Sequence, residues 1–432
     1  MKRSLLLWAV FAGMMAFTAC TQEKVVYVEE NEVAALKPGE GVIKINLSNN
    51  VSRAARPITS NEATNNVNRI AFVFVASNGN QYLPTIAATN EEQESYGYTS
   101  QNNVLALDEN SLDGEITVHF EDMTPGSYKI IAYGYNAGAG NYDFPYEIES
   151  ADGYNGFITF KAKAEGSMTP VEEVFAGMAS SIENEGSYLN VNEYGNFVAS
   201  DIQITLERQV AGLLAYMSKV PVKVSSGGED KTITKITIST SFSASGLCVP
   251  ASGSKAEYNG LGTCLSSGDY VDLLTFDLAG ATAGSDGYYK FNGETGKKYL
   301  LANENEGQAS ELSNLTCQDN TLFGSCFVIP FNQHYSNWTG MGIGTLYINY
   351  YDNSGLVLSK ALADNGNYEY DIKCNHFYSI GVKDPGYDGS GNPDPDTDDE
   401  PLPIDEESGS DNLKVNIDNE WDGFHGLTNK TK

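Results

Sequence analysis

Several places in this 432-residue sequence carry residue types whose spacing could do chemistry. Cys20 stands directly behind Phe17-Thr18-Ala19, at the end of an apolar stretch from Leu5 to Ala16 that Lys2 and Arg3 precede. A positive start, an apolar run too short to span a bilayer and small residues before a cysteine read as a secretion signal whose cysteine accepts lipid. A plain signal peptide with an incidental Cys20 is the alternative, and no other A-x-A-like cleavage site nearby supports it. Arg53-Ala54 is a bond of the kind cut after a basic residue, set in the aperiodic polar stretch Ser48 to Asn66; an ordinary exposed loop arginine is the competing reading. Asp394, Asp396 and Asp398 place carboxylates at alternate positions, as calcium loops do. Pro393 and Pro395 interrupt that run, and the loop glycine and terminal glutamate are missing, so no metal site is expected and a solvated linker is the better reading.

Enzymatic chemistry finds little support. The sequence has no H-E-x-x-H, no G-x-S-x-G and no phosphate-binding glycine loop. His119, His334, His376 and His425 are scattered. His376 lies two residues after Cys374, on the same face if both are in a strand, but no third group to orient such a pair can be named. No enzyme activity and no cofactor are expected. A net charge of −31 without a Lys/Arg cluster excludes nucleic acid as a partner, because a phosphate backbone needs a basic face.

Beyond Cys20, the cysteines are Cys248, Cys264, Cys317, Cys326 and Cys374, an odd number for an oxidising export route. Cys248 with Cys264 and Cys317 with Cys326 are the sequence-local pairings, and buried free thiols are the alternative.

The elements that must position these residues are strands. With 43 Gly, 26 Tyr and 18 Phe, and few helix-periodic segments, the chain predicts short strands joined by turns, an all-β protein. Its length suggests about two domains after the signal. Residues 21–40 read as a charged tether. In the strand Val42 to Leu47, Ile43, Ile45 and Leu47 share one face and Lys44 and Asn46 the other. Val67 to Val75 is apolar on both faces and reads as central. Ile116 to Phe120 and Tyr128 to Tyr135 flank the turn Thr124-Pro125-Gly126-Ser127 and are expected to form a hairpin. Further strands are expected at Phe157 to Lys161, Val171 to Ala176 and Ile202 to Leu206, closing a first domain. A second runs through Ile233 to Thr240, Leu273 to Leu278, Cys326 to Pro330, Gly344 to Tyr351, Tyr368 to Ile372 and Phe377 to Val382. Val210 to Tyr216 could be a short helix. From Asp384 to Asp411 the chain is acidic, rich in Pro and Gly and free of Lys and Arg, which predicts an extended linker. A strand follows in which Leu413, Val415 and Ile417 alternate with Lys414 and Asn416, and then Trp421. It must pair with its own second domain or with another subunit.

In the order of these segments the chain resembles the fimbrillins, the major and accessory subunits of type V pili of Gram-negative bacteria. The resemblance rests on Cys20, on Val42-Ile43-Lys44-Ile45-Asn46-Leu47 leading to Ser52-Arg53-Ala54, on Val67 to Phe74 and on Tyr128-Lys129-Ile130-Ile131-Ala132-Tyr133. It continues in Val174-Phe175-Ala176-Gly177, Leu206 to Ala211, Asn375 to Ile380, and Leu413-Lys414-Val415-Asn416-Ile417 with Trp421.

What the resemblance implies is two transthyretin-like β-sandwich domains in tandem on a lipoprotein precursor. The expected division is a signal peptide over 1–19, a lipidated propeptide with the removable strand over 20–53 and an N-terminal domain over 54–205. A C-terminal domain over 206–383, an acidic linker over 384–411 and a terminal donor segment over 412–432 follow. A trypsin-like surface protease is expected to cut Arg53-Ala54, since Arg56 precedes Pro57 and Arg69 lies in a strand. Loss of Ile43, Ile45 and Leu47 would open an apolar groove for Leu413, Val415, Ile417 and Trp421 of a neighbour. Partners are then outer-membrane lipid at Cys20 before processing and other fimbrial subunits at the cell surface. The alternatives are a monomeric surface lipoprotein binding glycans or host proteins, with Tyr347, Tyr350 and Tyr351 or Tyr96 and Tyr98 as a stacking platform, and a tip adhesin of the same pilus.

Overall fold

The computed structural model describes residues 38–47, 69–86, 99–101, 103–106, 116–135, 149–150, 157–161, 173–180, 188–250, 260–266, 268–292, 296–308, 315–332, 345–383, 399–405 and 413–418. The regular secondary structure among these residues is almost wholly strand, with a single 3-10 turn at Asn303–Gln308.

The first sheet system contains β1 (Gly41–Leu47), β2 (Arg69–Ala76), β3 (Ile116–Glu121), β4 (Gly126–Tyr135), β6 (Phe175–Ser180) and β7 (Gln203–Arg208), with β5 (Phe157–Lys161) elsewhere. Hydrogen-bonded neighbours run β3, β1, β7, β6, β4, β2, so β7 links the β1/β3 layer to the β2/β4 layer. Side chains alternate across β2: Ile70, Phe72 and Phe74 enter one core cluster and Ala71 and Val73 the other. Both faces are buried, as its unbroken apolar run predicts.

The expected hairpin across Thr124 to Ser127 does not form. β3 pairs with β1, whereas β4 pairs with β2 and β6. The connection is an arch between layers, and the rings meet across the core instead: Phe120 lies 5.1 Å from Phe72 and 5.6 Å from Phe74, centroid to centroid. A proline-glycine turn marks a reversal of direction but does not decide whether the two strands share a sheet.

The second half holds β8 (Ala211–Ser218), β9 (Lys235–Thr240), β10 (Phe242–Pro250), β11 (Val271–Asp277), β12 (Leu322–Val328), β13 (Leu346–Asp352), β14 (Gly355–Ala361), β15 (Phe377–Ile380), β16 (Leu402–Pro403) and β17 (Asn416–Asp418). One sheet runs β12, β8, β15, β17, with β16 continuing beside β8; another runs β11, β9, β13, β14. Residues 211–216 are strand, not helix. β8 is paired antiparallel to β12 and parallel to β15, and is buried along nearly its whole length, which hides the two-residue period in an apolar run. β5 pairs antiparallel with β10, so a segment assigned by sequence to the first domain is hydrogen-bonded to a strand of the second half.

The acidic stretch is not a free spacer throughout. Leu402 and Pro403 pair beside Met217 and Ser218, Ile404 is fully buried, and Tyr350 Oη donates to the Ile404 carbonyl at 2.7 Å. Asp405 accepts from Tyr288 Oη at 2.8 Å and lies 3.4 Å from Lys219 Nζ. Average composition concealed a short apolar insert flanked by carboxylates that find cations on the folded surface.

Candidate functional site: the slot of the opening strand

β1 is wedged between two strands. It runs antiparallel to β3, with Ile43 opposite Val118 and Lys44 opposite Thr117, and parallel to β7, with Lys44 opposite Gln203 and Leu47 opposite Leu206. Ile43 and Ile45 are 0% and 1% exposed and join Phe72, Phe120, Ile204 and Leu206 in the first core. Full burial of each is worth about 1.5–3 kcal/mol. The alternation seen in the sequence therefore corresponds to a core face and a partly exposed face, and both edges of β1 carry ladder hydrogen bonds.

The start of β1 is held by a clasp of two loops. Gly39 N–H donates to the Tyr194 carbonyl at 2.6 Å, Met123 N–H donates to the Gly39 carbonyl at 3.1 Å, and Asn196 Nδ2 donates to the Glu40 carbonyl at 2.7 Å. Asn192 shapes the 192–197 loop, its Oδ1 accepting from the Tyr194 and Asn196 amides. Gly39 has φ +90 and Gly195 φ +79. A Cβ on Gly195 would come within 2.7 Å of Gly39 Cα and of the Met123 carbonyl oxygen. Position 195 therefore has no room for a side chain, and at Gly39 the positive φ is what favours glycine.

The terminal strand is at home on its own chain. β17 pairs antiparallel with β15, Tyr378 opposite Ile417, at the edge of that sheet. Ala363 N–H donates to the Leu413 carbonyl and Val415 N–H to the Ala363 carbonyl, each at 3.0 Å. Leu413 and Val415 are 0% and 2% exposed, and Lys414 points outward.

Set side by side, the two strands have one pattern that the sequence reading passed over. Ile43-Lys44-Ile45-Asn46-Leu47 and Leu413-Lys414-Val415-Asn416-Ile417 agree position by position: apolar, Lys, apolar, Asn, apolar. A comparison of the chain with itself would have found it.

The joint between the halves holds a buried ion pair. Arg208 Nε donates to Glu173 Oε1 at 2.7 Å and Nη1 to Asn375 Oδ1 at 3.1 Å, and the guanidinium lies over the Phe175 ring.

Other sequence candidates are not assembled into sites. His376 Nδ1 hydrogen-bonds the Cys374 carbonyl at 2.8 Å. Cys264, Cys317 and Cys326 are free thiols, so neither local pairing forms. Burial pushes the Cys317 thiol up to about 12 and raises that of Cys326 further. Tyr347 and Tyr350 are buried and offer no stacking platform. Among the described residues no group of His, Cys, Asp or Glu is placed to hold a metal, and no helix is long and apolar enough to cross a membrane. Cys20, Arg53, Ala54, Trp421, Tyr96, Tyr98, Asp394, Asp396 and Asp398 lie outside the described residues.

The fold is that of an all-β protein built from packed sheets. No family model matches the chain, and no curated protein is similar to it. Solved structures similar to it include the fimbrial anchor protein Mfa2 from Porphyromonas gingivalis, at 10% identity over 74% of this chain and 99% of that one, with a TM-score of 0.27. They also include candidate cell adhesion proteins from Bacteroides eggerthii, at 12% identity over 89% and 96% of the two chains with a TM-score of 0.35, and from Parabacteroides distasonis, at 12% identity over 88% and 96% with a TM-score of 0.35.

Proposed function

We propose that this chain is a structural subunit of a cell-surface fimbria, made as an outer-membrane lipoprotein lipidated at Cys20 and polymerised by strand exchange. A trypsin-like surface protease cuts Arg53-Ala54, β1 leaves, and the tail of another subunit takes its place. The observation that carries this reading is the position-by-position match between residues 43–47 and 413–417. A tail that repeats the pattern of β1 presents apolar side chains where Ile43, Ile45 and Leu47 stood and Lys and Asn where Lys44 and Asn46 stood.

The energetics favour the swap for a reason other than burial. Leu413 and Val415 are already buried at home, so moving them gains little apolar area. At home the tail has a ladder of Phe377, Tyr378 and Ser379 on one side and a bridge to Ala363 on the other. The β1 slot offers a full ladder on each edge, from Ile116 to Phe120 and from Gln203 to Leu206. Each added backbone hydrogen bond contributes about 0.5–1.5 kcal/mol net, and the vacated apolar core is covered again. Contacts of this head-to-tail kind need not close on themselves, so they extend into a filament.

N-terminal sequencing of surface-exposed material tests the processing step. A start at Ala54 is expected; a start at Cys20 on assembled material refutes it.

A further inference from the structure

At the same offset the five matching positions are preceded by three that differ, Val42 against Asn412, Gly41 against Asp411 and Glu40 against Ser410, and then by a glycine in each segment. This offset sets Gly409 of the tail against Gly39, whose positive φ and contact with Gly195 form the centre of the clasp. Resting on the strand-exchange reading above, we propose that the clasp made by Met123, Tyr194, Gly195 and Asn196 is a docking site for Gly409 of a second copy and fixes the register of the incoming tail. Register in a two-sided slot needs such a stop. The tail alternates with a period of two, so a slip of two residues keeps its apolar face inward and the ladders intact. Apolar pattern alone therefore leaves neighbouring registers close in energy. The clasp is not periodic: it accepts a residue with left-handed backbone, φ +90 at Gly39, and offers one carbonyl and two N–H groups to main-chain atoms. Upstream of Leu413 the nearest glycine is Gly409, and the offset that superposes Lys414 on Lys44 also puts it in the clasp.

At one position the two segments differ in a way that has a consequence. Asp411 falls where Gly41 stands, and a Cβ there meets Met123 Cε at 2.3 Å and Phe197 Cε2 at 2.7 Å. Both are ends of flexible side chains, so Met123 and Phe197 swing aside when the tail is seated, and the main-chain clasp stays in place.

The test uses the full-length chain treated with trypsin, with assembly followed by the ladder of oligomers in electrophoresis. Gly409→Val lies outside the described core; an unchanged urea midpoint of the uncut variant separates folding from docking. Assembly is expected to slow about tenfold or more, since a β-branched residue resists left-handed backbone. Register is read by mixing copies bearing Lys414→Cys with copies bearing Thr117→Cys or His119→Cys, the second reporting a slip of two residues. The expected disulfide joins positions 414 and 117. Wild-type assembly rates for Gly409→Val, or cross-linking to position 119, overturn the clasp assignment while leaving strand exchange intact. Copies carrying both Lys414→Cys and Thr117→Cys that cross-link only within a monomer overturn the second-copy occupant. If the wild-type tail gives neither ladder nor cross-link, strand exchange itself fails, and the clasp assignment with it.

Discussion

Lys383 Nζ lies 2.6 Å from Asp399 Oδ2, and their side chains are only 4% and 13% exposed. The two residues stand at either end of residues 384–398, and Val382 and Glu400 exchange backbone hydrogen bonds just beside them at 2.8 and 2.9 Å. The acidic stretch is thus tied at its base, where Gln318 Nε2 also donates to the Asp399 carbonyl. Gly381 makes the bend possible, with φ +74 and a Cβ position 2.1 Å from the Tyr216 carbonyl oxygen. Asp399→Asn leaves a buried ammonium without its counter-charge and is expected to cost about 3 kcal/mol in urea unfolding. Replacing both partners, as Lys383→Met with Asp399→Leu, is expected to recover most of that loss. Equal stability of single and double variants would show that the pair is not desolvated.

The Arg208 and Glu173 pair predicts an asymmetric response. Arg208→Met strands a buried carboxylate whose Oε2 already has no hydrogen-bond partner among the described residues. Glu173→Gln leaves the guanidinium with Asn375 Oδ1 and the Phe175 ring. Arg208→Met is therefore expected to lower the free energy of unfolding by about 3–5 kcal/mol and Glu173→Gln by clearly less, both read as shifts in denaturant midpoint at constant slope.

What the sequence made legible followed from local chemistry. β1 is visible because Ile43 and Ile45 alternate with Lys44, and a strand with one core face shows that period. β2 is visible as a run of β-branched and aromatic residues. Pairing partners were not legible. The proline-glycine turn before Gly126 suggested a hairpin, but nothing local records that β3 lies beside β1, whose sequence is some seventy residues away. The clasp was hidden for a related reason: Gly39 and Gly195 are unremarkable glycines until the fold sets one against the other. In the acidic stretch, a window average over Asp and Glu masked Leu402 and Ile404. The carboxylate of Asp399 is tolerated because Lys383, distant from it in local composition terms, meets it in the fold.

The two matching strands predict effects that separate by assembly state. Ile45→Ala removes buried atoms from the core of the uncut chain and is expected to cost about 2–5 kcal/mol in its unfolding. Once residues up to Arg53 are gone, position 45 is gone with them, so assembled material from this variant should resist heat and detergent as the wild type does. Val415→Ala should weaken the uncut chain less, because fewer atoms are removed, and should lower the dissociation temperature of the oligomer ladder. Equal effects of both substitutions on the ladder would contradict replacement of one strand by the other.

The thiols of Cys317 and Cys326 contribute to a loss of stability at alkaline pH, beside buried tyrosines such as Tyr216 and Tyr299 whose hydroxyls burial also raises. Burial holds Cys317 up to about 12 and raises Cys326 as well, from an ordinary value near 9, so both remain neutral in the folded chain where the unfolded chain ionises them. Below pH 9 both states keep the proton and stability is unaffected, and above it the unfolded state alone loses protons. Stability is thus expected to fall as pH rises from 9 towards 12, by about 1.4 kcal/mol per pH unit for each thiol. Cys326→Ala removes one of these contributions, at the cost of the lost packing, and should flatten the decline by that slope. Urea midpoints taken at pH 8, 9, 10 and 11 measure it. The same neutral thiols should alkylate slowly with iodoacetamide at pH 8 in the folded chain and rapidly in urea. Fast labelling of Cys326 in the native protein would contradict its burial opposite Leu213 of β8.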